Sequence, residues 1–446
     1  MAFKRSYIFA LACSFFAATI CYCQGFENLK LSPLNNINYQ QNNSEQIKPF
    51  RELFSKYNLV LLAESTHFDG ATIDAQCMIM KELIDSGIIN TIYTESSYLN
   101  AEKIMSILLK EGEAGIPKAK MYAASGELIY WIENDFWKYL TGKIILGKVR
   151  LVGFDIETSS PTLIRELYNE VQSNIFERKL MDSVSLFKLS VWYTHFDYFV
   201  ELMSFPKEQY QEHCNFIKLV KEIYRNENNK IREQQWTLIE SYLYWIYHRQ
   251  FSDHETQYAN LYRNQQNINI SYFNSIRDSI MADIFMNDYN THKSVKAIIK
   301  TSSYHALRNF RNNSPIENLY IGKEVAVFND ILNQKMEDKI YSICFVASDG
   351  NWGLNYPGRK PQLKKISPPK ESLESYFRNC KYPFFFSSFE DSVTLNSSFI
   401  MRVVFNKPIQ AKWAKIFSGV FFIKEMYPLN YLDTDKLKFE GYSNKD

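Results

Sequence analysis

The feature that most constrains the fold is a repeated alternation of short apolar segments with longer segments of helical spacing. The first apolar segment covers residues 58–63 and is followed by residues 70–86, where apolar side chains recur on one helix face. The same order returns with apolar segments at residues 90–96 and 148–157. Strands that alternate with crossover helices form parallel sheets. The sequence therefore predicts an α/β fold with a mostly parallel β-sheet flanked by helices.

The character of the chain changes between residues 161 and 265. Long helical stretches with many aromatic side chains fill this part, and no strand-like segment interrupts them. Strand-like segments return after it. We therefore expect one α/β core in two parts, residues 47–160 and 266–430, separated by a large helical insertion that covers the cleft at the carboxyl ends of the strands. A C-terminal tail is expected at residues 431–446.

The first residues have the pattern of a secretory signal. Two basic residues precede an uncharged segment from Tyr7 to Ile20, and small residues follow it. We expect residues 1–23 to be a signal peptide, and the mature protein to be periplasmic or extracellular. Residues 24–46 are rich in Asn, Gln, Ser and Pro and have the composition of a linker. Acylation of Cys21 and a retained membrane anchor are the alternatives.

The overall charge argues against a nucleic-acid partner. The 51 Lys and Arg residues oppose 49 Asp and Glu residues, which leaves a net charge of +2 and no large basic field. Beyond the signal, no apolar segment is long enough to cross a bilayer. The sequence has no glycine-rich phosphate loop, no GxSxG elbow and no HExxH motif. A small molecule is therefore the expected partner.

Four cysteines remain after removal of the signal: Cys77, Cys214, Cys344 and Cys380. They are far apart, and no pair has the CxxC spacing of a zinc ribbon or a redox motif. We expect Cys77 and Cys344, which lie in apolar-periodic segments, to be buried free thiols, although export would permit a disulfide.

Polar side chains stand at the carboxyl ends of several predicted strands. They are Glu64 and His67, Glu95, Asp155, Ser302, Ser303 and His305, and Ser348 and Asp349. In an open parallel sheet, ligands bind beyond the carboxyl ends of the strands. We therefore expect Glu64, His67, Glu95 and His305 to form one polar cluster.

Such a cluster has the groups needed to activate water. A neutral imidazole, with an ordinary pKa of about 6.5, takes a proton from water, and a neighbouring carboxylate orients it and stabilises the imidazolium. His67 also precedes a predicted helix, whose N-terminus favours negative charge. The residues thus predict a hydrolase without a cofactor. Because Glu64, His67, Glu95 and His305 also suit zinc, a metal-dependent hydrolase is the alternative.

The segment LLAESTH resembles the Gly-Glu-x-x-His signature of the erythromycin esterase family, with Ala63 in place of the glycine. Further segments are similar to later parts of that family. They are TIYTESSYLNAEKI, VRLVGFDIE, IRDSIMADIF and RVVFNKPIQAKWAKIFSGVFFIKE. The resemblance covers residues 47–425, nearly the whole chain after the linker.

The resemblance implies metal-independent hydrolysis of an ester, since the best-known members of the family open macrolide lactones and confer antibiotic resistance. By position, His67 is the implied general base, and Glu64 and Glu95 are its carboxylate partners. Arg277 is implied to be a cation near the substrate or the developing oxyanion. The helical insertion is implied to form the substrate cleft.

The match departs from the family at the fourth strand. The family pattern His-Asn-x-His is Ser302, Ser303, Tyr304 and His305 here, so only the second imidazole is present. We expect His305 to act with the catalytic groups, and Asp155, Ser302 and Tyr304 to contact the substrate. A ligand-binding protein of the same fold, which has lost catalysis through Ser302, is the alternative from a different functional class.

Overall fold

The structure is a computed structural model of the chain. It describes residues 26, 29–123, 128–133, 135–156, 161–177, 207–254, 266–292, 296–309, 327–336, 339–355, 362–389 and 397–430. The predicted signal peptide and the predicted C-terminal tail lie outside these residues.

A ten-stranded sheet forms the centre of the described residues. The strands are β1 (Leu31–Leu34), β2 (Leu59–Glu64), β3 (Thr91–Ser97), β4 (Arg150–Asp155), β5 (Ala297–Ser302), β6 (Ile340–Asn355), β7 (Gln362–Ile366), β8 (Phe384–Ser388), β9 (Phe399–Val404), β10 (Lys407–Ala411), β11 (Gly419–Met426) and β12 (Leu429–Asn430). The order in the sheet is β1-β8-β11-β6-β2-β5-β3-β4, with β7 and β12 paired to β6, while β9 and β10 form a separate pair. The six strands from β11 to β4 run parallel, and β8 is antiparallel to both of its neighbours. The predicted α/β fold with a mostly parallel sheet is confirmed.

Helices connect and cover the parallel strands. They are α1 (Lys48–Lys56), α2 (Gly70–Asp85), α3 (Tyr98–Glu111), α4 (Ile116–Ala123), α5 (Leu128–Glu133), α6 (Phe136–Ile145), α7 (Pro161–Glu177), α8 (Lys207–Asn226), α9 (Lys230–His254), α10 (Gln266–Thr291), α11 (Phe328–Lys335), α12 (Leu373–Phe377) and α13 (Trp413–Ile416). Strands β2 and β3 are buried at every residue, as expected for strands that are covered on both faces. No helix in the described part of the chain is long and apolar enough to span a membrane.

The predicted helical insertion contains α7, α8 and α9 within its described residues. Two polar contacts join it to α3: Lys103 Nζ lies 2.7 Å from Glu166 Oε2, and Gln235 Nε2 donates to Glu102 Oε2 at 2.8 Å. Helix α3 begins at Tyr98, directly after β3 ends. The insertion therefore sits beside the carboxyl end of the sheet.

Helices α5 and α6 are separate because Asp135, directly before α6, has a left-handed backbone with φ 59°. Two predicted segments differ from the structure. The strand expected to end at Ser348 continues to Asn355, since β7 pairs with its last residues. The linker expected over residues 24–46 is also wrong for its described part.

Residues 29–46 pack against the sheet. Strand β1 pairs with β8, and the side chains of Leu34 and Ile37 are buried. The backbone N–H of Asn43 donates to Glu82 Oε1 at 2.9 Å, and its side chain donates to the carbonyl of Asn38 at 2.8 Å. The amide side chains thus satisfy each other and the backbone, while the few apolar residues provide the burial. Composition alone did not reveal this.

The cysteines Cys77, Cys214, Cys344 and Cys380 are all free thiols. Cys77 in α2 and Cys344 in β6 are buried in the core. The expectation of buried free thiols at Cys77 and Cys344 is confirmed.

The loop between β2 and α2, which carries His67, is held by β6 and by the chain that follows β11. Phe68 in this loop has a left-handed backbone with φ 67°. Its carbonyl accepts hydrogen bonds from the N–H groups of Gly353 at 3.3 Å and Leu429 at 3.2 Å. The N–H of Gly70 donates to the carbonyl of Tyr427 at 2.9 Å. These bonds compensate the strain at Phe68 and fix the loop from outside.

A side chain at Gly70 is expected to loosen this loop. A Cβ there would lie 2.9 Å from the carbonyl oxygen of Pro428 and 3.0 Å from the ring of Tyr427. We expect Gly70→Ala to lower the free energy of unfolding by about 1–3 kcal/mol because the contact is overpacked. Gly142→Ala in α6 is the matched control, since a Cβ there meets nothing within 4 Å. It should raise stability by up to about 1 kcal/mol. Urea unfolding measures both, and equal effects would contradict the prediction.

Candidate active site

Strand β2 ends in a carboxylate that the fold buries. The Glu64 side chain is 1% exposed, and its Oε1 accepts a hydrogen bond from His67 Nδ1 at 2.6 Å. The His67 side chain, in contrast, is 44% exposed. The buried carboxylate therefore fixes the orientation of an imidazole that reaches the solvent.

The second oxygen of Glu64 faces a buried lysine. Lys300 in β5 is fully buried, and its Nζ lies 3.2 Å from Glu64 Oε2 and 5.7 Å from the centre of the Tyr130 ring. Burial alone would raise the pKa of Glu64, but the charge of Lys300 and the hydrogen bond from His67 lower it below the ordinary value. Glu64 is thus a carboxylate anion at neutral pH.

Glu95 in β3 lies on the other side of β5. Its Oε2 accepts hydrogen bonds from Thr301 Oγ1 at 2.6 Å and from the N–H of Ser302 at 2.8 Å. Its Oε1 lies 3.2 Å from His305 Nε2 and 3.6 Å from Arg277 Nη2. Burial opposes the charge, but His305 and Arg277 hold the pKa of Glu95 well below its usual range. Strand β5 therefore supplies partners to both buried carboxylates.

A register shift in the sheet lies at Glu95. The register between β3 and β4 shifts between Thr94 and Ser97, which is where a bulge re-aims side chains. Gly153 in β4 permits this close approach of the two strands, because a Cβ there would lie 2.4 Å from the carbonyl oxygens of Ser96 and Ser97. The glycine in the sequence VRLVGFDIE thus serves backbone packing.

His305 lies between two carboxylates. Its Nδ1 is 2.5 Å from Asp278 Oδ1, and its Nε2 is the atom close to Glu95. Burial lowers the pKa of an imidazole, but Asp278 and Glu95 more than offset it and raise the pKa of His305 to about 10. His305 is therefore a fixed cation near neutral pH. His67 is the imidazole of the cluster that is placed to accept a proton.

Arg277 and Asp155 face each other. Arg277 Nε donates to Asp155 Oδ1 at 3.0 Å, and Nη2 donates to Asp155 Oδ2. The same guanidinium is the one that approaches Glu95. Helix α10 thus brings Arg277 and Asp278 together to the carboxyl ends of β3, β4 and β5. The substrate contacts expected of Asp155 and Arg277 stay predictions.

Ser302 and Tyr304, which were predicted to contact the substrate, lie next to the cluster. Ser302 takes part through its backbone N–H, and the buried ring of Tyr304 has its centre 5.2 Å from that of His305. Asp349 accepts a hydrogen bond from Arg378 Nη2 at 2.8 Å. Strand β6, which was predicted to end at Ser348 and Asp349, continues to Asn355.

Two members of the cluster were missed by sequence reasoning. Lys300 is a charged residue within the apolar segment AIIKTS, and a lysine at a strand position otherwise buried signals an ion pair. Asp278 directly follows Arg277, and sequence alone does not show that it reaches His305.

Cations of the chain pair with the carboxylates of the cluster. Among the described residues, no group of three or more His, Cys, Asp or Glu side chains converges as a set of metal ligands. Glu64 is paired with Lys300, and Glu95 lies against Arg277 and His305. These cations occupy the carboxylate oxygens that a metal would need.

Known structures share this fold. A mutant of the erythromycin esterase EreC in its open conformation has a TM-score of 0.63 at 11% identity, over 89% of this chain and 98% of that chain. A succinoglycan biosynthesis protein has a TM-score of 0.64 at 13% identity, over 89% and 95%. A protein from Bacillus cereus has a TM-score of 0.66 at 15% identity, over 92% and 98%. No protein-family profile and no curated protein matches the sequence. The erythromycin-esterase-like fold is thus confirmed.

The charge on His305 is expected to make stability depend on pH. In the folded protein its pKa is about 10, whereas in the unfolded chain it has the ordinary value of about 6.5. Between these values the folded state binds one proton more than the unfolded state. The contribution is fully present below pH ~6.5, and the free energy of unfolding should fall as pH rises from ~6.5 to ~10.

Urea unfolding across this pH range tests the prediction with two variants. His305→Gln should have a lower free energy of unfolding than the wild type at pH ~6.5. Its free energy of unfolding should also decrease less than that of the wild type as the pH rises. His292→Gln is the matched control, because the His292 side chain is 44% exposed, and it should keep the wild-type slope. The same slope in both variants would contradict the role of His305.

Proposed function

We propose that this erythromycin-esterase-like fold is a hydrolase that cleaves an ester or related acyl bond with water activated by His67. The observation that carries the proposal is the short bond from the half-exposed His67 to the buried, ionised Glu64. A carboxylate in this position keeps the proton on Nδ1, so that Nε2 is the proton acceptor.

The reaction needs only groups on the chain and one water molecule. His67 Nε2 takes a proton from water while the oxygen attacks the acyl carbon, and Glu64 stabilises the imidazolium. The tetrahedral intermediate then expels the alcohol oxygen, to which His67 returns the proton. Water and ester are consumed, and acid and alcohol are released. The role of Arg277 at the oxyanion stays a prediction.

The charge of the cluster supports proton uptake by His67. Three ion pairs, Lys300 with Glu64, Arg277 with Asp155, and protonated His305 with Asp278, leave the carboxylate of Glu95 in excess. Protonation of His67 balances this charge, and Glu95 and His67 lie close enough to interact. The transition state for water attack, in which the imidazolium forms, is therefore favoured electrostatically.

The substrate is proposed to be a small molecule that carries a bulky ester. The known activity of one structural neighbour, an erythromycin esterase, makes a macrolide lactone the first candidate. Contacts from Asp155, Ser302 and Tyr304 belong to this proposal. Export of the protein and a part in antibiotic resistance are further proposals from the sequence.

Loss of the His67 imidazole is expected to remove hydrolysis. Purified protein is assayed with a panel of macrolides and aryl esters, and His67→Gln should lower kcat about 10²- to 10⁴-fold because the general base is lost. His292→Gln is the control for histidine replacement and should keep full activity. A chelator should leave turnover unchanged. Activity that chelator removes and zinc restores would instead support the metal-dependent alternative.

An imidazole at position 302 is expected to increase turnover if the fourth strand limits catalysis. Ser302→His should raise kcat at least about tenfold, because a second base or donor would stand beside Glu64 in the adjacent strand. Ser302→Asn, which adds bulk but no base, is the control. If the wild type binds a ligand without turnover and His67→Gln leaves its affinity unchanged, the protein is a ligand-binding relative of the same fold.

A further inference from the structure

Lys300 occupies an unusual position for a lysine. It lies in the middle of β5, is fully buried, and pairs across the sheet with Leu62 on one side and Thr94 on the other. Buried lysines lose hydration, and this cost is offset only when the ammonium is paired. The ammonium lies 3.2 Å from Glu64 Oε2 and near the face of the Tyr130 ring.

This burial excludes direct contact between Lys300 and a substrate. The position lies two residues before Ser302, which is paired with Glu64, so Lys300 is one layer deeper in the sheet on the same face. Its ammonium donates to Glu64 of the proposed catalytic dyad at 3.2 Å. Any effect of Lys300 on His67 therefore passes through Glu64 and through the electrostatic field.

We infer that Lys300 is a positioning residue for His67: its ammonium pairs with Glu64 and fixes one carboxylate oxygen, and its charge opposes the binding of a proton by the Glu64 and His67 pair. The catalytic meaning of this inference rests on the proposed function, but the geometry does not.

Charge determines the direction of the effect. The charged groups around Glu64 are Lys300 from β5, His67 from the loop, Glu95 from β3 and Asp69 at the start of α2. Removal of the ammonium leaves carboxylates around the imidazole. A proton then binds the Glu64 and His67 pair more tightly, whichever of the two holds it. The reactive form, with ionised Glu64 and neutral His67, therefore disappears at a higher pH.

The test follows the His67 ring directly. Histidine labelled with ¹³C in the ring is incorporated into the full chain, and the His67 signal is assigned by its loss in His67→Gln. The titration midpoint of His67 is compared in the wild type, Lys300→Met and Lys300→Gln. Lys300→Gln keeps a hydrogen-bond donor for Glu64, so it can be measured even if Lys300→Met does not fold. Lys103→Met removes a lysine from the ion pair with Glu166 and is the matched control.

The expected midpoint is higher by about one pH unit in both Lys300 variants and unchanged in Lys103→Met. The acid limb of kcat/KM should move by the same amount, with KM little changed. The ring signal separates this limb from titration of Asp69, whose pKa burial raises to about 7. A midpoint equal to or below that of the wild type would overturn the inference.

The inference and the proposed function fail in different ways. If no substrate is turned over by the wild type, the proposed function fails, while the His67 midpoint still decides the role of Lys300. If turnover depends on His67 but the titration midpoint of His67 is the same in the wild type and in the Lys300 variants, the proposed function stands. Lys300 then only neutralises Glu64 for the stability of the sheet.

Discussion

The site depends on the burial of two carboxylates, Glu64 and Glu95, in strands that flank β5. Removing an ionised carboxylate from water costs several kcal/mol, and only well-placed partners offset this cost. Strand β5 and the residues just after it provide those partners, through Lys300 towards one carboxylate and through Thr301 and His305 towards the other. Because a change of register in β5 would unpair both carboxylates together, the sheet order and the site stabilise each other.

The Glu95 side and the Glu64 side of the cluster have different roles. On the side of Glu95, hydrogen bonds and ion pairs close around a buried anion, and His305 is held as a cation between Glu95 and Asp278. On the side of Glu64, the paired imidazole of His67 remains half-exposed. One side thus provides a fixed electrostatic environment, and the other provides a group that exchanges protons with solvent.

Distant parts of the chain meet at this site. The helical insertion packs on α3, which begins where β3 ends, and α10 returns from the insertion with Arg277 and Asp278 side by side. The turn after β11 fixes the His67 loop by hydrogen bonds to Phe68 and Gly70. None of these approaches is local in sequence. The chain shares its fold with an erythromycin esterase at 11% identity, as expected where a core tolerates many substitutions that keep its apolar pattern and volume.

The sequence predicted the alternation of strands and helices, because apolar periodicity determines the type of each element. It also predicted that Glu64, Glu95 and His305 lie close together, because the carboxyl ends of parallel strands meet at one edge of the sheet. The tertiary structure decided the rest. In the folded protein, Asp278 lies against His305 and stabilises its protonated form. Lys300 is buried next to Glu64, and residues 29–46 pack on the sheet. These outcomes depend on which groups lose water together, a property of the folded core that no single segment of sequence contains.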